Sequence, residues 1–125
     1  MSFRVSREQF ESLAVESIKT LPEEFRRYFE NITITIEDQP DSEEIRRLKS
    51  KRELILGVYS GVPYPEKKGF FNISYPLPDK IILFQRNIED ICSSEKELTE
   101  QIQKTLIHEV GHYFGLSEGE LRKYE

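Results

Sequence analysis

His108-Glu109-Val110-Gly111-His112 holds both histidines of this 125-residue chain. Residues four apart share one helical face, about 6 Å apart along the axis. Two imidazoles so placed can each point a nitrogen at one tetrahedral ion, with Zn–N distances of about 2.0–2.1 Å. H-E-x-x-H on a helix therefore reads as a zinc site with His108 and His112 as ligands. Glu109 lies roughly 100° round the helix from His108. It is poorly placed as a third ligand but can flank the metal. There it can take a proton from a water whose pKa has been lowered to about 7.

The surrounding residues predict the helix that this reading needs. Ser94 and Glu97 form an S-x-x-E capping box. Leu98, Ile102, Leu106, Val110 and Tyr113 then recur at three- and four-residue spacing, making one apolar stripe. Gly115 follows as a helix stop that permits positive φ. The pattern from His108 to Glu118 is H-E-x-x-H-x-x-G-x-x-E. A chain leaving the helix at Gly115 can swing back toward the metal. Glu118 is then the expected third ligand, since carboxylate oxygen is a zinc donor and no third histidine exists. Glu120 is the fallback. The competing role for Glu118 is a first-turn acid of a short helix from Ser117 to Tyr124.

Length and composition set the frame. A chain this size is expected to be a single domain spanning residues 1–125. Charged residues make up 33% and the net charge is −5. That balance argues against nucleic acid as a partner, and the basic run Arg46 to Arg52 reads as a solvated helix end or loop. A single cysteine, Cys92, excludes an intramolecular disulfide. It fits a reducing compartment and reads as a small buried apolar residue. No signal peptide is expected, because Met1 to Thr20 is charged and amphipathic. No stretch reaches the roughly 20 apolar residues of a membrane span. A cytoplasmic protein without membrane contact is the expectation.

The rest of the chain supplies a sheet and a second helix. Ser6 can cap an N-terminal helix whose inner face is Phe10, Leu13, Ala14, Ser17, Ile18 and Leu21. Pro22 breaks it, and Glu23 to Glu30 predicts a short helix with Phe25, Tyr28 and Phe29 inward. Asn31 to Asp38 alternates apolar and polar residues and predicts a strand. Ser42 to Arg52 is a polar segment, helical or loose. Leu54 to Tyr59 predicts a second strand, and Lys80 to Gln85 a third whose continuous apolar run suits a sheet centre. Ser60 to Asp79, rich in proline and aromatics, is too long for a hairpin turn, and long loops are often functional. The expected fold is α+β: a mixed sheet of three or four strands, packed with the N-terminal helix and the H-E-x-x-H helix. Strand 80–85 is expected beside the metal, where its edge or a neighbour's could take an extended peptide.

Strand, bridge and a helix carrying H-E-V-G-H-Y-F-G-L-S-E resemble the zincin metallopeptidases. The chain is similar to the minimal bacterial zincin-like metallopeptidase family (zinicin-like metallopeptidase type I). Leu56 to Pro63 resembles that family's central strand and loop, and Pro78 to Ile88 its next strand. The resemblance implies a compact zincin-like domain with zinc at His108 and His112 and Glu109 as catalytic base. The family usually carries aspartate where Glu118 stands. The pattern also resembles metzincins, which need a methionine turn beneath the metal. The sole methionine is Met1, so that class is rejected.

The function expected is hydrolysis of a peptide bond in a peptide or protein substrate, by a zinc-activated water with Glu109 as general base. Tyr113, Tyr64, Tyr75 and Tyr124 are candidate donors to the oxyanion. The alternative is a zinc-binding domain without peptidase activity, acting in regulation or protein interaction. So small a domain leaves room for a protein partner to complete the cleft.

Overall fold

The computed structural model describes residues 3–48, 51, 54–60, 79–117 and 119. Helix α1 spans Arg7–Lys19, and the Ser6 side chain caps it by accepting from the Gln9 N–H. Its inner face carries Phe10, Ala14 and Ser17, all buried. After Pro22 come a single α-turn, α2 (Glu23–Arg26), and a 3-10 turn at Arg27–Phe29. These drive Phe25 and Phe29 into the core.

The strands are β1 (Ile32–Glu37), β2 (Gly57–Ser60) and β3 (Asp79–Phe84). Helix α3 (Ser42–Leu48) lies between the first two in sequence. Among the described residues the sheet has three strands in the order β1-β3-β2. β1 runs parallel to β3, with Ile34 beside Ile81 and Ile36 beside Leu83. β2 runs antiparallel to β3, with Val58 beside Ile82 and Tyr59 beside Ile81. The sheet is thus mixed and the fold is α+β, as the alternation of elements predicts.

β3 is apolar at successive positions because it is covered on both faces. Ile81 and Leu83 enter the main core with Phe10, Leu98, Ile102, Leu106 and Val110. Ile82 and Phe84 enter a second core with Ile55 and Val58, against which Ile45 and Leu48 of α3 pack. Full burial of each such side chain contributes about 1.5–3 kcal/mol.

The strand boundaries shift from the sequence reading, mostly by one residue, and two of the shifts involve tertiary contacts. β2 begins at Gly57, not Leu54. The Leu54 N–H donates to the Lys51 carbonyl in a turn, the Ile55 carbonyl faces away from β3 and accepts from the Asn87 side chain, and the first bond to β3 is made by the Leu56 carbonyl. Gln85 opens helix α4 (Gln85–Asp90) and does not end β3. Its amide bridges the Val5 carbonyl and the buried Glu89 carboxylate. Glu89 also accepts from the Val5 N–H and from Arg4. That network pins the N-terminal segment to α4 and satisfies a buried charge that would otherwise be costly. Cys92 is buried beside it, and burial raises its thiol pKa and keeps it protonated. No helix among the described residues is long and apolar enough to cross a membrane.

Helix α5 (Glu95–Tyr113) lies across the sheet. Ser94 caps it by accepting from the Glu97 N–H. The Glu97 carboxylate reaches back to the N–H and hydroxyl of Ser93, one residue before the cap. Leu98, Ile102, Leu106 and Val110 are fully buried, as the stripe predicts. Gly57 sets how close α5 comes to β2. A Cβ built on Gly57 would lie 2.8 Å from Cγ2 of Thr105 and 3.1 Å from the Ile82 carbonyl oxygen. Only glycine lets helix and strand approach this closely.

Gly57→Ala is therefore expected to destabilise the fold by about 1–3 kcal/mol, the usual range for overpacking. Thr105→Ser removes the clashing methyl and should recover part of that loss. Urea unfolding of the two single variants and the double variant measures this. Strictly additive losses would show that Thr105 does not set the approach.

Candidate metal centre

α5 delivers the three residues of the motif with different surroundings. His108 is half-buried, Glu109 is half-buried on the side of β2, and His112 is exposed. The opposite face of the helix is the core stripe, so the histidines cannot turn inward. The ring centroids of His108 and His112 lie 6.4 Å apart, with the planes 29° from parallel. Two imidazoles bound at a tetrahedral angle, with Zn–N of about 2.0–2.1 Å, have centroids about 5 Å apart. A small χ rotation of either ring closes that difference, so the pair fits as two nitrogen donors to one ion. Among the described residues, no three His, Cys, Asp or Glu side chains come together at metal-binding spacing. Glu118 and Glu120, the two candidates for the third ligand, lie outside the described residues. So do Tyr64, Tyr75 and Tyr124, and the side chain of Tyr113.

Glu109 points to the sheet edge. Its Oε2 accepts a hydrogen bond of 3.0 Å from the Tyr59 N–H. In the antiparallel ladder, Leu56 and Phe84 face each other through the Phe84 N–H to Leu56 carbonyl bond. Alternation then turns Val58 toward β3 and aims the Tyr59 N–H out of the sheet. The helix carboxylate meets this outward donor because Gly57 allows the close approach. Burial raises the Glu109 carboxyl to about 7, while the Tyr59 N–H and His108 both pull it down. Desolvation outweighs one hydrogen bond and one neighbouring imidazole, giving a carboxyl that titrates near neutrality. Such tuning is typical of catalytic acids and bases.

The helix ends as the glycine predicts. Gly115 has φ 71°. The Leu116 N–H bonds the Gly111 carbonyl at 2.8 Å and the Gly115 N–H bonds the His112 carbonyl at 3.1 Å. These are the two bonds of a Schellman turn. It ends the helix at Gly115, three residues after His112. Beside His108 and Glu109, a cleft of about 370 Å³ opens between α5 and the segment from Leu54 to Gly57.

These features agree with what the chain is similar to. Residues 29–125 match the family described as zincin-like metallopeptidase. The chain belongs to the zincin-like metallopeptidase family. A solved structure, a conserved hypothetical protein from Thermus thermophilus, has a similar fold, with a TM-score of 0.54 and 18% identity. The similarity covers 88% of this chain and 94% of that one. No curated protein matches the chain.

Of the two expected edges, that of strand 80–85 or that of a neighbour, the neighbour's is the one beside the centre. Strand 80–85 does not border the candidate centre with a free edge. β3 is the middle strand, flanked on both sides, and α4 separates it from α5 in sequence. β2 is the strand that meets Glu109. Sequence reading also passed over Gly57 and the Tyr59 N–H. A glycine inside a strand pattern is a signal of close backbone approach and could have found the first. A backbone N–H leaves no trace in residue identity.

The raised Glu109 carboxyl gives this zincin-like chain a pH signature when metal-free. Below pH 4.5 it is protonated in both folded and unfolded chains. Between 4.5 and about 7 the unfolded chain releases the proton while the folded chain keeps it, so stability falls as pH rises. Above about 7 the loss is complete. Glu109→Gln should remove this slope and gain on the native protein by at most about 3 kcal/mol at pH 8. Urea midpoints at pH 5 and pH 8 in chelator check it. Parallel pH profiles for the two proteins would remove the raised carboxyl.

Proposed function

We propose that this chain is a zinc-dependent metallopeptidase that hydrolyses peptide bonds. One observation carries the reading most. A carboxyl titrating near neutrality sits beside two histidines one helical turn apart and opens on a cleft. His108 and His112 would hold zinc, with Glu118 as third ligand and Glu120 as its substitute. Bound zinc supplies Lewis-acid polarisation of the scissile carbonyl and a water of lowered pKa. Glu109 does the proton work. The Tyr59 N–H holds Oε2, and among the described residues Oε1 takes no hydrogen bond. Oε1 is therefore the atom that takes the proton of the attacking water and passes it to the leaving amine. The bond to Tyr59 fixes the carboxylate's rotation, so Oε1 keeps one direction through both transfers. The peptide is held in the cleft beside β2.

The test is a zinc-loaded assay against a diverse peptide library. Glu109→Gln should retain zinc and lose about 10²–10⁴-fold in turnover. His108→Ala should lose the metal by elemental analysis. A library blank with full zinc occupancy would shift the chain to the reading of a zinc-binding domain without peptidase activity. Glu118→Ala should weaken zinc binding more than Glu120→Ala, and the reverse order would hand the third position to Glu120.

A further inference from the structure

The cleft beside Glu109 has two unlike walls. One is apolar: Leu48 at the end of α3, then Leu54, Ile55 and Leu56 leading into β2. The other is the preceding turn of α5, with Gln101, Lys104 and Thr105. Leu54 is 66% exposed, an unusual position for a large apolar side chain with a buried core beside it. The apolar wall is held from behind. The buried Asn87 amide donates to the Ile55 carbonyl at 2.7 Å and accepts from Gln39 at 3.0 Å. On the helical wall the polar groups are mutually satisfied. Thr105 donates to the Gln101 carbonyl, and the Gln101 amide donates to the Thr105 hydroxyl. Lys104 is the exception. It is exposed and makes no ion pair among the described residues.

We propose that this cleft is the specificity pocket for the substrate, taking a large apolar side chain against Leu54 with an adjoining acidic residue paired to Lys104. This rests on the peptidase reading of the adjacent centre. The volume of about 370 Å³ falls in the range of about 300–1,000 Å³ seen for ligand pockets. It admits a leucine- or phenylalanine-sized group. The charge complementarity is local. Lys104 precedes His108 by one helical turn and lines the cleft from an exposed position. A lysine or arginine there would meet a like charge, whereas an acidic residue gains a counter-ion. The protein's net charge of −5 disfavours acidic peptides at long range, which makes Lys104 the feature that admits them here.

The test separates binding from hydrolysis. Full-length, zinc-loaded Glu109→Gln protein is titrated with fluorescein-labelled hexapeptides by anisotropy. The peptides carry Leu or Ala at one central position and Glu, Gln or Lys at the adjoining one, in both orders. Leu peptides should bind about tenfold more tightly than Ala peptides, from the buried side chain. Glu should be favoured over Lys by about fivefold, as for an exposed ion pair. Lys104→Glu should invert the Glu-to-Lys order and leave the Leu-to-Ala ratio. Leu54→Ser should shrink the Leu-to-Ala ratio and leave the charge order; Leu54 is exposed, so this change spares the fold. Equal affinities across the set, or a charge order that survives Lys104→Glu, would overturn the pocket. The same peptides are then given to zinc-loaded native protein. Selective binding with no cleavage upholds the pocket and defeats the peptidase reading. Cleavage blind to both positions does the opposite.

Discussion

The hydrogen bond from the Tyr59 N–H to Glu109 Oε2 joins the two halves of the molecule that matter. It needs a strand edge whose donor points outward, a helix pressed against that edge, and a carboxylate one residue beyond the first histidine. Each requirement rests on something simpler. The antiparallel register with β3 aims the donor. The missing side chain of Gly57 removes the spacer between helix and strand. The core stripe of α5 fixes the rotation of the helix, leaving Glu109 no other direction. A bond this dependent on its scaffold reports on the geometry of the whole centre.

The fold was largely legible in the chain because its signals are periodic and local. The apolar stripe of α5, the Ser6 and Ser94 caps, the alternation of β1 and the continuous apolar run of β3 each follow from one element's own residues. Errors arose where one element's ending depends on another. Leu54 to Leu56 have the composition of a strand, yet the Leu54 N–H goes to the Lys51 carbonyl in a turn and the Ile55 carbonyl to Asn87, 32 residues on. Gln85 extends an apolar run, yet its amide is needed by Val5 and Glu89. Side-chain capture of backbone groups is a tertiary event, and no local window contains it.

The candidate centre divides in the same way. The spacing of His108, Glu109 and His112 is written in the sequence, and so is the turn at Gly115. The raised carboxyl of Glu109 was not, because burial in the folded chain dominates it and its hydrogen-bond partner Tyr59 lies 50 residues away. Strand order was the other hidden variable. Chain order suggests that β3, nearest in sequence to α5, should border the metal. Pairing with both β1 and β2 places β3 in the middle and hands the border to β2. The cleft therefore takes its apolar wall from the segment before β2.

The Schellman turn after His112 has a further consequence. Its two bonds are accepted by Gly111 and His112, the last residues of the motif itself. Helix ends fray more readily than helix centres, opening at a fraction of the global unfolding energy. Here the frayed state would also release the exposed histidine. An ion that bridges His108 and His112 would favour the intact helix end by mass action. Occupancy of the site and closure of the turn at Gly115 are then linked equilibria.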